Sequence, residues 1–404
     1  METKLNLQNK PNWFVSKLIA IGVLLLFSAL LYVVSLKGTQ TQIIAVLVLV
    51  AVGFLAYMRI PAFKARVSAA MAREKTALLI VGLILAVILP LTLRTEPYLI
   101  HILVIAGIYV ILAFGLNIQV GSTGLPNLGF AAFFGVGAYA SSLLAVNNGV
   151  NFWLAIVLAG LISAVFGLLL GLPSLKTRSY HLALVSIAFG LVTYIFINNL
   201  AFTGGPSGVN NIPAPELFGK SLFMTPKLFG QNYPMQLNFY YLVLFFIIIM
   251  AVISHFFYNS RVGLNWNAVR EDEIAAKCSG IDVVASKLLS FSIGAFYAGI
   301  AGSLYAHFIG YISPENFNMT ISLNILGMVI MGGMDNILGV ALGAYILAMA
   351  PEKFRALANL RVIASGAIII LMLMFRPAGI IPQKMRDYGA AVTKMLERKD
   401  ANHG

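Results

Sequence analysis

Few residues in this 404-residue chain are suited to acid–base, nucleophilic or metal chemistry. It holds one cysteine, five histidines and fourteen acidic residues. Cys278 alone excludes a disulfide framework, a CxxC redox pair and a cysteine-based metal site. His101, His181, His255 and His307 are scattered, three of them near the ends of apolar runs, and read as packed or interfacial. With no clustered His, Cys and carboxylate groups, a metal centre is not expected. No nucleophile stands with a base, so no catalytic residue is assigned and the chain is not expected to be an enzyme. Gly219-Lys220-Ser221 imitates the end of a phosphate-binding loop, but Ala214 stands where that loop needs glycine. No Asp or Glu lies inside an apolar run. Asp335 sits at a break between two short runs and Glu315 in a loop. A proton-coupled carrier usually keeps an intramembrane carboxylate, because a buried charge is expensive and retained for use.

The polar residues that remain fall at two Gly-rich breaks. Residues 117–144 read NIQVGSTGLPNLGFAAFFGVGAYASSLL. Residues 292–344 hold a second stretch ending MVIMGGMDNILGVALGA. In the first, Gly121, Ser122, Thr123, Gly124, Pro126, Asn127 and Gly129 interrupt two apolar runs just before Phe130. In the second, Gly332, Gly333, Asp335 and Asn336 do the same. Gly and Pro break helices, and breaks at corresponding places in two halves point to an internal repeat and a translocation pathway. Backbone exposed at a break can hold an amino or carboxylate group without a formal charge in the membrane.

The elements around these breaks are spans. Hydrophobic residues make up 60% of the chain and charged residues only 10%, too few to cover a soluble globule. The apolar runs are Leu18–Leu36, Ile43–Met58, Ala77–Leu93, Tyr98–Ile118, Pro126–Val146, Phe152–Leu172, Leu182–Ile197, Phe239–Phe257, Leu288–Ile309, Ile321–Met334, Ile337–Ala350 and Val362–Phe375. Three are short, at 43–58, 321–334 and 337–350, and suit half-helices or re-entrant segments. The expected fold is all-α, a polytopic integral membrane helical bundle of about 10–12 membrane segments. The first run is too long for a signal peptide's apolar core and reads as a retained anchor. Most of the 27 basic residues lie in the N-terminal tail, segment 59–75, Lys176 and Arg178, loop 258–287 and the C-terminal tail. Alternating the spans puts all of these on one side, which the positive-inside rule makes cytoplasmic, with both termini inside. That placement accounts for the net charge of +13 through topology and anionic membrane lipid rather than nucleic acid.

Three regions follow. Residues 1–96 form a three-span N-terminal extension, residues 97–383 the translocation domain, and residues 384–404 a basic cytoplasmic tail. The loop 258–287 is expected to carry its own short helix. Glu271, Asp272 and Glu273 suit its N-terminus, Ile274, Ala275 and Ala276 extend it, and Gly280 stops it. It suits either docking to a cytosolic partner or a plain connection between spans. The outer loop 198–238 contains Thr203, Gly204, Gly205, Pro206 and Gly208, turn formers that imply a defined shape over the pathway mouth or a partner's landing place.

Taken together, GLNIQVGSTGLPNLGFAAFFGVGAYASSLL, FTGGPSGVNNIP, SRVGLNWNAVREDEIAAKCSGIDVVASKLLSFSIGA, MVIMGGMDNILGVALGA and FRPAGIIP resemble, in order, the motifs of the M-type permease subunits of branched-chain amino acid ABC importers. The resemblance covers residues 98–383. It implies import of Leu, Ile and Val, a second related permease in a heterodimer, two cytosolic ATPases and an extracytoplasmic amino-acid-binding protein. It implies a bacterial inner membrane location. No cofactor is expected on this chain; ATP and Mg belong to the ATPases. Arg261, Gly263, Arg270, Glu271, Asp272, Glu273, Ala275, Ala276 and Gly280 match the ATPase-coupling loop. Asn127, Phe130 and Asp335-Asn336 depart from the family, which often has Ser, His and Gly-Ser there. The same machinery carrying urea, short-chain amides or other amino acids is the alternative, and a secondary carrier or channel a more distant one.

Overall fold

The computed structural model describes residues 75–174, 179–217, 219–228, 231–353, 366–367, 370, 372–374 and 378–381. The runs Leu18–Leu36 and Ile43–Met58, the tail 384–404 and most of Val362–Phe375 lie outside them. The described helices are α1 (Lys75–Thr92), α2 (Pro97–Asn117), α3 (Phe130–Asn148), α4 (Phe152–Ser174), α5 (Ser179–Asn199), α6 (Gln236–Tyr258), α7 (Arg261–Glu271), α8 (Glu273–Cys278), α9 (Val283–Ile309), α10 (Met319–Gly332) and α11 (Ile337–Lys353). Among the described residues, six helical stretches are long and apolar enough to cross a membrane: 97–122, 130–148, 152–173, 181–199, 236–258 and 283–309. Gly82–Thr92 and Ile337–Met349 are shorter apolar helices. The fold is a polytopic helical membrane bundle, and the described residues add two two-residue hairpins, Glu216–Leu217 on Lys220–Ser221 and Lys227–Leu228 on Gln231–Asn232.

The described chain forms two compact units. The first joins residues up to Leu103 with Thr225–Tyr241. There α1 contains Pro90, which has no N–H to give the carbonyl of Ala86 one turn earlier. The hydroxyl of Tyr240 donates to that carbonyl at 2.8 Å, and Tyr241 donates to Val87 at 3.0 Å. In a lipid environment an unsatisfied carbonyl is costly, so the two tyrosines make the proline tolerable. In the same unit Arg94 Nε donates to the carbonyl of Asn232 at 3.0 Å, and its guanidinium lies 5.6 Å from the centre of the Tyr233 ring.

The second unit, Val104–Met224 with the residues from Leu242 onward, holds the core. Here α9 packs on both α3 and α4, which also pack on each other. Small residues bring these backbones together, the usual means of association where lipid removes the hydrophobic drive. A Cβ on Gly302 would lie 2.6 Å from the backbone nitrogen of Ala138. One on Gly167 would lie 2.6 Å from the carbonyl of Phe291. Ser141 and Ser303 pair at 2.7 Å, and Ser163 donates to the carbonyl of Phe133 at 3.0 Å. The outer face of α4 exposes Leu154, Val157, Leu161, Val165, Leu168 and Leu172. That spacing of three and four is one helical stripe, and its apolar character suits lipid.

Candidate functional site

The first break begins as α2 widens into a π-turn over Ile118–Ser122, turns at Gly124, whose φ of +71° is the left-handed region, and ends at Gly129. The second lies between α10 and α11, where Gly333 has φ +105° and Asp335 φ +63°. The fold brings the two breaks into contact. Ser122 Oγ donates to Asp335 Oδ1 at 2.6 Å, and the Asp335 amide donates to Asn117 Oδ1 at 2.7 Å. Asp335 is 4% exposed. Gly121 sits between them: a Cβ there would run into Asn117 Oδ1 and come within 2.7 Å of the Asp335 nitrogen.

Three amides complete the cluster, each using both ends. Asn117 Nδ2 donates to the hydroxyl of Tyr258 at 2.5 Å. Gln119 accepts from Asn127 Nδ2 at 2.8 Å and donates to the carbonyl of Phe291, on α9, at 3.3 Å. Asn127 accepts from the Gly129 amide at 2.9 Å. The amides of Leu128 and Ala131 donate to Ser186 Oγ and Ser322 Oγ, both at 2.9 Å. Thr123 Oγ1 returns to the carbonyl of Ile118 at 3.0 Å. The backbone that the sequence suggested as open at this break is therefore largely bonded to side chains. Phe130 is fully buried, edge-on to Phe133 at 6.0 Å. At the second break, Gly332 crosses closely on α11: a Cβ there would lie 2.6 Å from Val340 Cα. The amides of Ile380 and Ile381 cap the carbonyls of Met331 and Gly332 at 2.9 and 3.2 Å. The FRPAGIIP motif thus ends by closing α10.

The loop 258–287 contains two helices where one was expected. α7 starts at Ser260, whose hydroxyl accepts from the Val262 amide at 3.2 Å. Gly263 permits the tight fold-back onto α6, since a Cβ would lie 2.5 Å from the carbonyl of Phe257. Glu271 closes α7 instead of opening α8. Asp272 is the N-cap of α8, accepting from the Ile274 and Ala275 amides at 2.7 and 3.0 Å. Gly280, at φ +81°, follows the end of α8. Arg261, Glu271, Asp272, Glu273, Ala275 and Gly280 are exposed, and Ala276 is buried. Ile274, 76% exposed, makes α8 present an apolar residue outward.

Three contacts fasten this loop. Trp266, fully buried, donates from Nε1 to the carbonyl of Ser286 at 3.0 Å. Lys287 Nζ meets Glu273 Oε1 at 2.7 Å, with the lysine 4% and the glutamate 44% exposed. Arg270 Nη1 donates to the carbonyl of Gly121, and its stem lies over Gly124. That carbonyl is among the last of a helix, without an intrahelical donor, and a cation there also complements the helix dipole. Arg270, itself exposed, therefore reaches from the loop to the break.

At the other end of α9 the FTGGPSGVNNIP segment folds onto residues 310–313. Val209 and Ile312 exchange backbone bonds of 2.9 and 3.0 Å. Gly204, Gly205 and Gly208 all have positive φ, and Pro206 lies in the 3₁₀ turn Gly205–Ser207. Thr203 Oγ1 donates to the carbonyl of Ile197 at 2.6 Å. His307 anchors the segment: the Pro213 carbonyl, 2.7 Å away, can only accept, so Nδ1 carries the proton. Nε2 then accepts from Ser141 at 2.9 Å. The histidine is packed, as its surroundings in the sequence suggested. Ser286 and His307 are about 30 Å apart along α9 at ~1.5 Å per residue, close to a hydrocarbon thickness.

Asn117, Gln119, Ser186, Ser322, Trp266 and Lys287 were not singled out by their sequence. Asn117 and Gln119 carried a usable signal, two amides flanking one isoleucine at the end of an apolar run. The serines carried none.

A family model described as "Branched-chain amino acid transport system / permease component" matches residues 98–375. The high-affinity branched-chain amino acid transport system permease protein LivM of Salmonella typhimurium is 37% identical over 288 residues, 68% of this chain and 68% of its own. The corresponding LivM protein of Escherichia coli K12 is 35% identical over 317 residues, 75% of this chain and 74% of its own. The permease protein LivH of Salmonella typhimurium is 24% identical over 284 residues, 68% and 91% of the two chains. No solved structure matches the chain.

Proposed function

We infer the working of the site from one premise: this chain belongs to the family of permease components of branched-chain amino acid transport systems. It is a multi-pass membrane protein, the non-catalytic permease subunit of a branched-chain amino acid ABC importer. Its similarity to both LivM and LivH proteins supports a pair of related permeases. Two cytosolic ATPases holding ATP and Mg, and an extracytoplasmic amino-acid-binding protein, complete the proposed assembly. The membrane is the bacterial inner membrane, and both termini face the cytoplasm. Leu, Ile and Val are the cargo.

In this reading the ATPases press on α7 and α8, and the FTGGPSGVNNIP segment faces the binding protein. The contact of Arg270 with the Gly121 carbonyl carries the proposal. Through it, movement of the loop reaches the first break, and the Ser122–Asp335 bond passes it to the second. Hydrogen bonds of this kind have two discrete states, made or broken, which suits a transition between outward and inward forms.

Uptake of labelled leucine tests the reading, in cells with and without the gene, before and after ATP depletion. The expected result is a component lost in both the deletion and the depleted cells. Gene-dependent uptake that survives depletion sinks the importer. Unchanged leucine uptake removes the cargo and directs the search to urea and amides.

A further inference from the structure

A permease for free amino acids must hold a zwitterion partway across a layer that offers it no water. Spare hydrogen-bonding capacity at that depth is where such a group can rest. The breaks offer little, because Asn117, Gln119, Asn127, Ser186 and Ser322 already bond one another or the local backbone. Tyr139 differs. It lies midway along α3, about 13 Å from either end at ~1.5 Å per residue. It is 3% exposed, and its hydroxyl has no hydrogen-bond partner among the described residues.

A second observation falls at the same depth. After α9 the chain does not continue as a helix. It turns at Gly310, passes through a 3₁₀ turn at Pro314–Phe317, and starts α10 only at Met319. Phe317 reaches Gly135, one turn of α3 from Tyr139; a Cβ on Gly135 would lie 3.1 Å from Phe317 Cβ. Its ring is 5.0, 5.9 and 6.2 Å from those of Phe134, Tyr139 and Tyr305. Non-helical backbone at membrane depth is tolerated only where protein buries it or a cavity lines it, and discontinuous helices at mid-depth are where carriers hold their cargo. Three nearby polar side chains are paired among themselves: Asn316 Nδ2 donates to Tyr305 at 2.8 Å, and Ser313 donates to Asn316 at 2.7 Å.

We propose that the Tyr139 hydroxyl donates to the carboxylate of the transported aliphatic α-amino acid, with the rings of Phe134, Tyr305 and Phe317 against its side chain. The proposal rests on the importer reading. A hydroxyl-to-carboxylate bond is charge-assisted, and aromatic faces accept both an aliphatic side chain and a nearby ammonium.

Tyr139→Phe tests it in the complete importer. The substitution keeps the ring and removes only the hydroxyl. ATP-dependent uptake of labelled leucine is measured beside the melting midpoint of the purified assembly. Uptake is expected to fall by about tenfold or more, the loss of one charge-assisted bond, with the midpoint unchanged or raised. Uptake within about twofold of wild type overturns the proposal, since a lost hydrogen bond to a charged group exceeds that. A lowered midpoint also overturns it, because the hydroxyl then has a structural partner. Absence of ATP-dependent leucine uptake in the wild type is a different failure, that of the importer reading.

Discussion

Ser122 and Asp335 are 213 positions apart in sequence and 2.6 Å apart in the fold. One ends the π-turn after α2, and the other occupies a left-handed position between α10 and α11. Their bond makes the two breaks one structure, with Gly121 as the point of closest approach.

Gly121→Ala is therefore expected to abolish uptake and reduce the amount of folded protein. Its methyl would occupy space held by the Asn117 amide and the Asp335 backbone. Gly82→Ala is the control: a Cβ there meets nothing within 4 Å, and alanine in a helix is favoured over glycine by about 0.5–1 kcal/mol. Equal damage from both, measured by quantitative membrane blotting and leucine uptake, would refute the close-approach argument.

The Lys287–Glu273 pair predicts an asymmetry. Removing Glu273 leaves a 4% exposed ammonium without its carboxylate, whereas removing Lys287 leaves a 44% exposed carboxylate that water can solvate. Glu273→Gln is expected to destabilise by about 1–3 kcal/mol, and Lys287→Met by less, once solvent screening of the exposed partner is allowed for. Uptake should follow the same order. The double charge swap should recover part of the loss. Thermal unfolding of the three purified variants beside the wild type measures this, and equal effects of the two single changes would contradict it.

Tyr240 and Pro90 form a cycle. Tyr240→Phe leaves the Ala86 carbonyl without its donor, at a cost of about 1 kcal/mol. Pro90→Ala restores an N–H one turn after Ala86, so the tyrosine hydroxyl becomes dispensable. The double variant should be more stable than the sum of the single effects predicts, and strict additivity in thermal unfolding would exclude the relationship.

The sequence by itself determined the class and, among the described residues, the approximate positions of the long spans and of several helix stops. These follow from local causes. Apolar runs of bilayer length need no distant partner to become helices in lipid. Asp272 and Gly280 bound α8 through their own side chain and backbone, and Gly124 and Gly333 turn the chain through their own φ. Even so, α7 was missed, because its residues alternate polar and apolar in a loop already read as one helix.

Only the tertiary structure decided what those stops are for. Asn117, Gln119 and Ser122 look alike in sequence to any polar residues at a span end, and their roles come from Tyr258, Phe291 and Asp335, all more than 100 positions away. Arg270 matched the coupling loop in sequence, and only the fold bonds it to the Gly121 carbonyl. Lys287 read as one more inner-side cation and is buried against Glu273. A buried polar group takes the partner that the packing places beside it, and in this chain the packing of α3, α4 and α9 joins segments that no local pattern connects.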